Sequence, residues 1–229
     1  MAAIQMPYRL PLRALVFDAY GTLFDVHSIS LDCESLFPGK GADLSRLWRN
    51  KQLEYSWLRS LMGRYVEFEV VTKDALGVAC HALGLELTES AAARLMEGYR
   101  QLRPFVDVED ALAALHGRRL AILSNGSPAM LKALIEHARL SRYFDAILSV
   151  DELKTFKPHP SVYGLATRHL GLNAENVGFV SSNFWDVAGA ASYGFRALWV
   201  NRAHSAPEKL GIHPYAEIGD LNQIAQFLN

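Results

Sequence analysis

Two cysteines in 229 residues leave no material for a disulfide framework or a thiolate metal cluster. Cys33 and Cys80 read instead as buried or idle thiols of a reducing cytoplasm. Long apolar runs are also missing. Nothing approaches the roughly 20 residues of a membrane-spanning helix. The first ten residues lack a basic segment and Arg13 breaks the apolar run behind them, so no signal peptide is expected. A dominant charge is absent: the net value is −1, which gives nucleic acid no basic field to bind. The eight histidines lie without ligand spacing, and His27, His81 and His116 read as structural or exposed. No repeat or low-complexity segment is present. What is there is ordinary for a globular protein, half hydrophobic and 21% charged, and long enough for one large domain or a core with an insertion.

Four segments, 13–18, 119–123, 177–181 and 196–200, are short continuous apolar runs, as expected of strands buried on both faces of a parallel sheet. Helical patterns over 128–139, 160–170 and about 186–193 lie between them. This alternation predicts a doubly wound, Rossmann-like α/β core. Asp220 opens an expected closing helix over 220–228. Residues from about 25 to 103 break the alternation. Leu44, Leu47, Trp48, Leu53, Trp57, Leu58, Leu61 and Tyr65 recur at helical spacing, and 72–83 and 88–102 behave alike. The expectation is an α/β core of residues 1–24 and 104–229 with an inserted helical cap of 25–103. Trp48, Leu53, Trp57 and Leu58 read as core or interface positions. The apolar helix 42–65 suits either a homodimer through the cap or packing on its neighbours.

Chemistry gathers at strand ends. The first strand delivers Asp18, followed by Tyr20, Gly21 and Thr22. Ligands of open α/β sheets bind outside the carboxyl ends of strands, which makes Asp18 a candidate nucleophile or metal ligand. Alone, such an Asp reads as a cap or turn residue. Ser124-Asn125-Gly126-Ser127 ends a second strand and opens a helix, a plain N-cap or an anion site. Lys157-Pro158, with Tyr163 on the next helix, is weak by itself. Ser181-Ser182-Asn183-Phe184-Trp185-Asp186 follows the third strand.

Together these motifs resemble the haloacid dehalogenase superfamily. The phosphatases of that superfamily carry a second acid two positions after the nucleophile, and this chain has Tyr20 there. They also carry an acid where Ser182 stands. Both replacements argue against a magnesium site, since Mg²⁺ prefers carboxylate oxygens. Ser181-Ser182-Asn183-x-Trp185-Asp186, and the cap segment Leu47-Trp48-Arg49-Asn50-Lys51-Gln52-Leu53-Glu54-Tyr55, are similar to the L-2-haloacid dehalogenase subfamily. Asn50 departs from the subfamily's usual Gln.

That resemblance implies an enzyme without metal or cofactor, acting on a small 2-haloacid. Asp18 would attack C2 and displace halide, and water would then hydrolyse the aspartyl ester. Lys157 would sit beside the nucleophile, with Ser181, Asn183 and Asp186 positioning Asp18 and the water. Asp186 is a candidate general base paired with Lys157, and Tyr163 would pack or hydrogen-bond near Lys157. Thr22, Ser124 and the Asn125 backbone would take the substrate carboxylate. Arg49, with the Asn125 side chain, would receive halide. Tyr20, Leu53, Phe68 and Trp185 complete the substrate side. The rivals are a magnesium-dependent phosphatase of the same superfamily and a catalytically silent binding protein.

Overall fold

The computed structural model describes residues 12–228. The segment that bears on a signal peptide, residues 1–10, lies outside them. In chain order the elements are β1 (Ala14–Phe17), α1 (Ser30–Leu36), α2 (Gly41–Leu61), α3 (Phe68–Ala82), α4 (Glu89–Arg100) and α5 (Val108–Ala114). Then come β2 (Arg119–Ser124), α6 (Pro128–His137), β3 (Ala146–Ser149), α7 (Pro160–Leu170), β4 (Val177–Ser181), α8 (Phe184–Tyr193), β5 (Arg196–Val200) and β6 (Ala216–Ile218).

All six strands are parallel, in the order β3-β2-β1-β4-β5-β6. The α/β class is as expected. From β1 the chain winds one way through β2 and β3 and the other way through β4 to β6. The strand order therefore reverses between β1 and β4, where such sheets open a crevice at their carboxyl ends. Phe17 pairs with Val180, and the Asp18 N–H donates to the Val180 carbonyl at 2.9 Å. Asp18 and Ser181 thus leave the sheet side by side at the switch point.

Local chemistry sets the ends of the flanking helices. Ser127 caps α6 by accepting from the Met130 N–H, with Pro128 at the first helical position. Pro160 opens α7 in the same way, and Gly171 ends it in the left-handed region at φ 63°. Gly178 in β4 has another role. A Cβ there would come within 2.6 Å of Leu15 Cδ2.

Helices α1 to α4 occupy the stretch between β1 and α5 and pack on one another. Trp48 of α2 donates its indole N–H to the Thr72 carbonyl of α3 at 2.8 Å. The chain leaving β1 and the chain returning before α5 run antiparallel. Asp25 N–H donates to the Arg103 carbonyl at 2.8 Å, and Phe105 N–H to the Leu23 carbonyl at 3.0 Å. Two further strands, β3 and β6, and two seven-residue helices, α1 and α5, add to the expected set. The closing helix expected over 220–228 is present as a 3-10 helix, Leu221–Phe227, after Asp220. No helix among the described residues is long and apolar enough to cross a membrane.

Candidate active site

Three loops converge on Asp18, which is 5% exposed. Its own loop turns at Gly21, φ 90°, a conformation that disfavours any side chain. The turn brings Thr22 back so that its hydroxyl donates to Asp18 Oδ2 at 3.0 Å. The loop after β4 supplies Asn183, whose Nδ2 donates to the same Oδ2 at 2.8 Å and to the Tyr20 carbonyl at 3.1 Å. Ser181 Oγ lies 3.5 Å from Oδ2 and accepts the Asn183 N–H at 3.1 Å. The other oxygen, Oδ1, accepts from Lys157 Nζ at 3.1 Å.

Lys157 is 1% exposed, and Asp186 is fully buried. Lys157 Nζ reaches Asp186 Oδ2 at 2.9 Å and lies 4.9 Å from the Phe179 ring centroid. Burial works against the ammonium, but the two carboxylates win and raise the Lys157 pKa. Asp186 moves the other way from a usual ion-paired acid. Burial, opposed by Lys157 and reinforced by the charge of Asp18, pushes it up to about 6. One cation facing two buried carboxylates leaves one negative charge in excess, and the deeper acid bears the cost. Tyr163 was expected to pack or bond near Lys157. Its hydroxyl donates to Asp186 Oδ1 at 2.8 Å. Burial and the neighbouring Asp186 hold that phenol well above its ordinary pKa.

Across a cavity of about 10 Å³, room for roughly one water, stands Arg49 of α2. The lining comprises Asp18, Tyr20, Arg49, Leu53, Phe68, Ser124, Asn125, Asn183 and Trp185. Seven of the eight residues expected on the substrate side are among them. Arg49 is held by two acceptors: Gln52 Oε1 at 2.7 Å and the Tyr20 carbonyl at 3.4 Å. Asn125 Oδ1 accepts the Lys157 N–H at 2.9 Å, and Ser124 Oγ accepts the Gly126 N–H at 3.1 Å. The Tyr20 ring stacks on Tyr99 at 5.7 Å, and its buried hydroxyl has no partner among the described residues. Burial and then Tyr99 raise its pKa far above that of a free phenol, so Tyr20 cannot serve as the missing acid. A second cavity, of about 470 Å³, shares Leu53, Asn183 and Trp185 with the first.

Two expectations change. Thr22 does not line the cavity. Its hydroxyl is committed to Asp18 and accepts the Ser182 N–H at 2.9 Å, so it is not placed to take a substrate carboxylate. Asp186 is not in the wall either, which supports its pairing with Lys157 rather than direct contact with water. Sequence reasoning also missed residues. Gln52 accepts from Arg49 and from Tyr99, at 2.9 Å, while its own Nε2 donates to Thr72 at 2.7 Å. One buried amide thus ties α2, α3 and α4 together behind Arg49. Its spacing of three from Arg49 on one helix was the available signal.

A family model described as haloacid dehalogenase-like hydrolase matches residues 12–194. The (S)-2-haloacid dehalogenase of Pseudomonas sp. (strain YL) is 46% identical over 217 residues, 94% of this chain and 94% of that protein. A (S)-2-haloacid dehalogenase of Pseudomonas putida is 43% identical over 219 residues, covering 95% of this chain and 96% of its own. Among solved structures, L-2-haloacid dehalogenase from Xanthobacter autotrophicus with chloropropionic acid covalently bound superposes with a TM-score of 0.90. It is 40% identical, over 94% of this chain and 97% of that one.

Proposed function

This chain belongs to the haloacid dehalogenase-like hydrolases, and from that premise we propose that it hydrolyses L-2-haloacids to D-2-hydroxy acids through an ester on Asp18. The observation that carries this is Asp18 itself. It is a buried carboxylate at the sheet's switch point, facing a cavity whose opposite wall carries a guanidinium.

The two oxygens of Asp18 are not equivalent. Oδ2 holds the donors Thr22 and Asn183, whereas Oδ1 holds Lys157. We assign the attack on C2 to Oδ1. A bond forms between Oδ1 and C2 as the carbon–halogen bond breaks, and the halide leaves with its electron pair toward Arg49 and Asn125. One in-line displacement inverts C2. Water then adds to the ester carbonyl carbon. Oδ2 takes up the negative charge, where Thr22 and Asn183 already donate, an arrangement suited to an oxyanion. Collapse breaks the bond between Oδ1 and the ester carbonyl carbon, one water proton ends on the product hydroxyl, and the other is released to solvent, which restores Asp18 as a carboxylate. C2 is untouched in this half, so L-2-chloropropionate gives D-lactate. Ser124 and the Asn125 backbone take the substrate carboxylate. Leu53, Phe68, Trp185 and the Tyr20 ring surround its carbon chain. Asp186 fixes Lys157, and Tyr163 fixes Asp186.

Helices α1 to α4 act as a cap, residues 25–103, on a core of 1–24 and 104–229. The room left for a single water supports closure of this cap during reaction, because water exclusion strengthens every charge interaction inside. Exposed Leu58, Leu61 and Met62 on or beside α2 support a homodimer through the cap. The buried free thiols Cys33 and Cys80 suit a reducing compartment such as the cytoplasm. The scheme routes no step through a metal or cofactor.

Isotope placement tests this. In H₂¹⁸O with enzyme in excess, label should enter the peptide carrying Asp18 and leave the first lactate unlabelled. Label in first-turnover lactate would exclude attack by Asp18. EDTA should leave halide release unchanged, and phosphate release from p-nitrophenyl phosphate should be absent. Loss of activity restored by Mg²⁺ would favour the phosphatase reading.

A further inference from the structure

Arg202 touches none of the atoms assigned to the reaction, yet it grips two of the three loops that hold the nucleophile. It follows β5, the strand beside β4. Its Nη2 donates to the Thr22 carbonyl at 3.1 Å, and its Nη1 donates to Ser182 Oγ at 3.0 Å. Between those two points lies the bond from the Ser182 N–H to Thr22 Oγ1, the atom that in turn donates to Asp18 Oδ2. The guanidinium therefore spans the contact that sets the direction of the Thr22 hydroxyl. It is itself anchored. Nη2 reaches both carboxylate oxygens of Asp107, at 3.0 and 2.9 Å, and the guanidinium carbon lies 4.1 Å from the Phe105 ring centroid. Asp107 is buried and also accepts the Leu221 N–H at 2.8 Å. A planar fork can serve Thr22, Ser182 and Asp107 together, and a lysine ammonium at the end of a flexible stem cannot.

We propose that Arg202, anchored by Asp107, is a positioning residue for the ester-hydrolysis half of the reaction. The proposal rests on the dehalogenase reading above. Alkylation uses Asp18 Oδ1, whose partner Lys157 makes no bond to Arg202. Hydrolysis places new negative charge on Oδ2, the oxygen that Thr22 serves. Loosening Thr22 therefore slows the addition of water to the ester more than it slows departure of halide.

The test is Arg202→Lys in the full chain, with L-2-chloropropionate, following halide by rapid quench and the Asp18 peptide by mass. Halide release in the first turnover should be little changed. Steady-state kcat should fall about tenfold, less than the roughly 100-fold of deleting an oxyanion donor outright, because Thr22 is loosened and not removed. A larger fraction of Asp18 than in wild type should stand as ester during turnover. Purely structural damage would lower the active fraction and leave the partition between the two steps as it was. Wild-type kcat, or a first-turnover loss as large as the steady-state loss, overturns the proposal. Should Arg202→Lys not fold, Asp107→Asn carries the same test, because it keeps the shape and removes the anchoring charge. Failure of both to fold would make the pair a fold determinant and overturn the proposal too. Absence of halide release from the wild-type enzyme would instead remove the underlying reading.

Discussion

Asp18 and Arg49 face one small cavity from two different kinds of scaffold. On the floor, Asp18, Lys157, Asn183 and Asp186 stand at or behind the carboxyl ends of β1 and β4, and every charged atom has a near partner. On the opposite side, Arg49 is a lone cation among Leu53, Phe68 and the Tyr20 and Trp185 rings. Its positioning depends on two acceptors, the Gln52 amide and the Tyr20 carbonyl. The buried Tyr20 hydroxyl and the indole N–H groups of Trp57 and Trp185 have no partner among the described residues. The floor is over-determined by a sheet whose register cannot slip. The other side is a helical surface that can be altered without unfolding the sheet. Changes to the floor that unbalance its buried charge should therefore damage chemistry and stability together, and changes opposite should damage chemistry alone.

The largest effect is expected at Lys157. Lys157→Met removes the one cation between two buried carboxylates. Halide release should fall below detection, and urea unfolding should show a loss of about 3–5 kcal/mol, the scale for breaking a buried ion pair. Asp18→Asn should also abolish turnover but leave stability close to wild type, because Lys157 keeps Asp186 and the excess negative charge is gone. Equal stability in the two variants would mean that the floor is not held by charge.

Next is Arg49→Lys. It keeps the charge and loses the fork that bonds Gln52 and the Tyr20 carbonyl. At least a tenfold loss of kcat is expected, about 1.4 kcal/mol of barrier, with an unchanged melting temperature. Wild-type turnover would remove Arg49 from halide departure. A lowered melting temperature would erase the contrast between the two sides. Gln52→Leu sharpens it with a smaller loss of kcat. It also leaves the Tyr99 hydroxyl without its acceptor, so about 1–3 kcal/mol of stability should go with it. Gln52 is the point where the two kinds of damage meet.

That contrast also decides what was legible in the residues. Strands β1, β2, β4 and β5 are almost wholly buried, so they read as apolar runs. Strand β3, with a half-exposed pattern, and β6, only Ala216 to Ile218, lie at the sheet's edges and carry no such run. Helices of seven residues span too few turns for a period to show. The 220–228 stretch buries Leu221, Ile224 and Leu228, three and four apart, a spacing that does not separate a 3-10 helix from an α-helix. On the floor, Asp18 and Asn183 were legible because they sit just beyond strand ends, whereas Lys157, well past Ser149, and Asp186, inside α8, were placed by the resemblance. The Gln52–Tyr99 bond joins residues 47 apart, and Arg202 reaches Thr22 across 180. Neither leaves a local pattern. Thr22 was misassigned for a related reason: its place beside Asp18 was evident, but the direction of its hydroxyl depends on Ser182 and Arg202.

The smallest predicted effect is a shift along the pH axis, and it tests whether Asp186 belongs to the floor's charge balance. Burial raises Asp186 to about 6 in the folded protein, against about 3.9 when exposed. The folded state therefore binds this proton more tightly than the unfolded state. Its contribution to stability is fully present below about pH 4 and is lost as pH rises through about 6. Activity should run in the opposite direction. Ionised Asp186 fixes Lys157, so kcat/KM should fall as pH drops through about 6, with an apparent value that belongs to the coupled Asp18–Asp186 pair. Tyr163→Phe separates this from general acid damage. It removes the donor at Asp186 Oδ1, which favours the carboxylate form. The acid limb of kcat/KM should then move to higher pH while the plateau at alkaline pH falls only modestly. A limb that stays in place in Tyr163→Phe, or moves to lower pH, would show that another group sets it and that Asp186 keeps its charge throughout the working range.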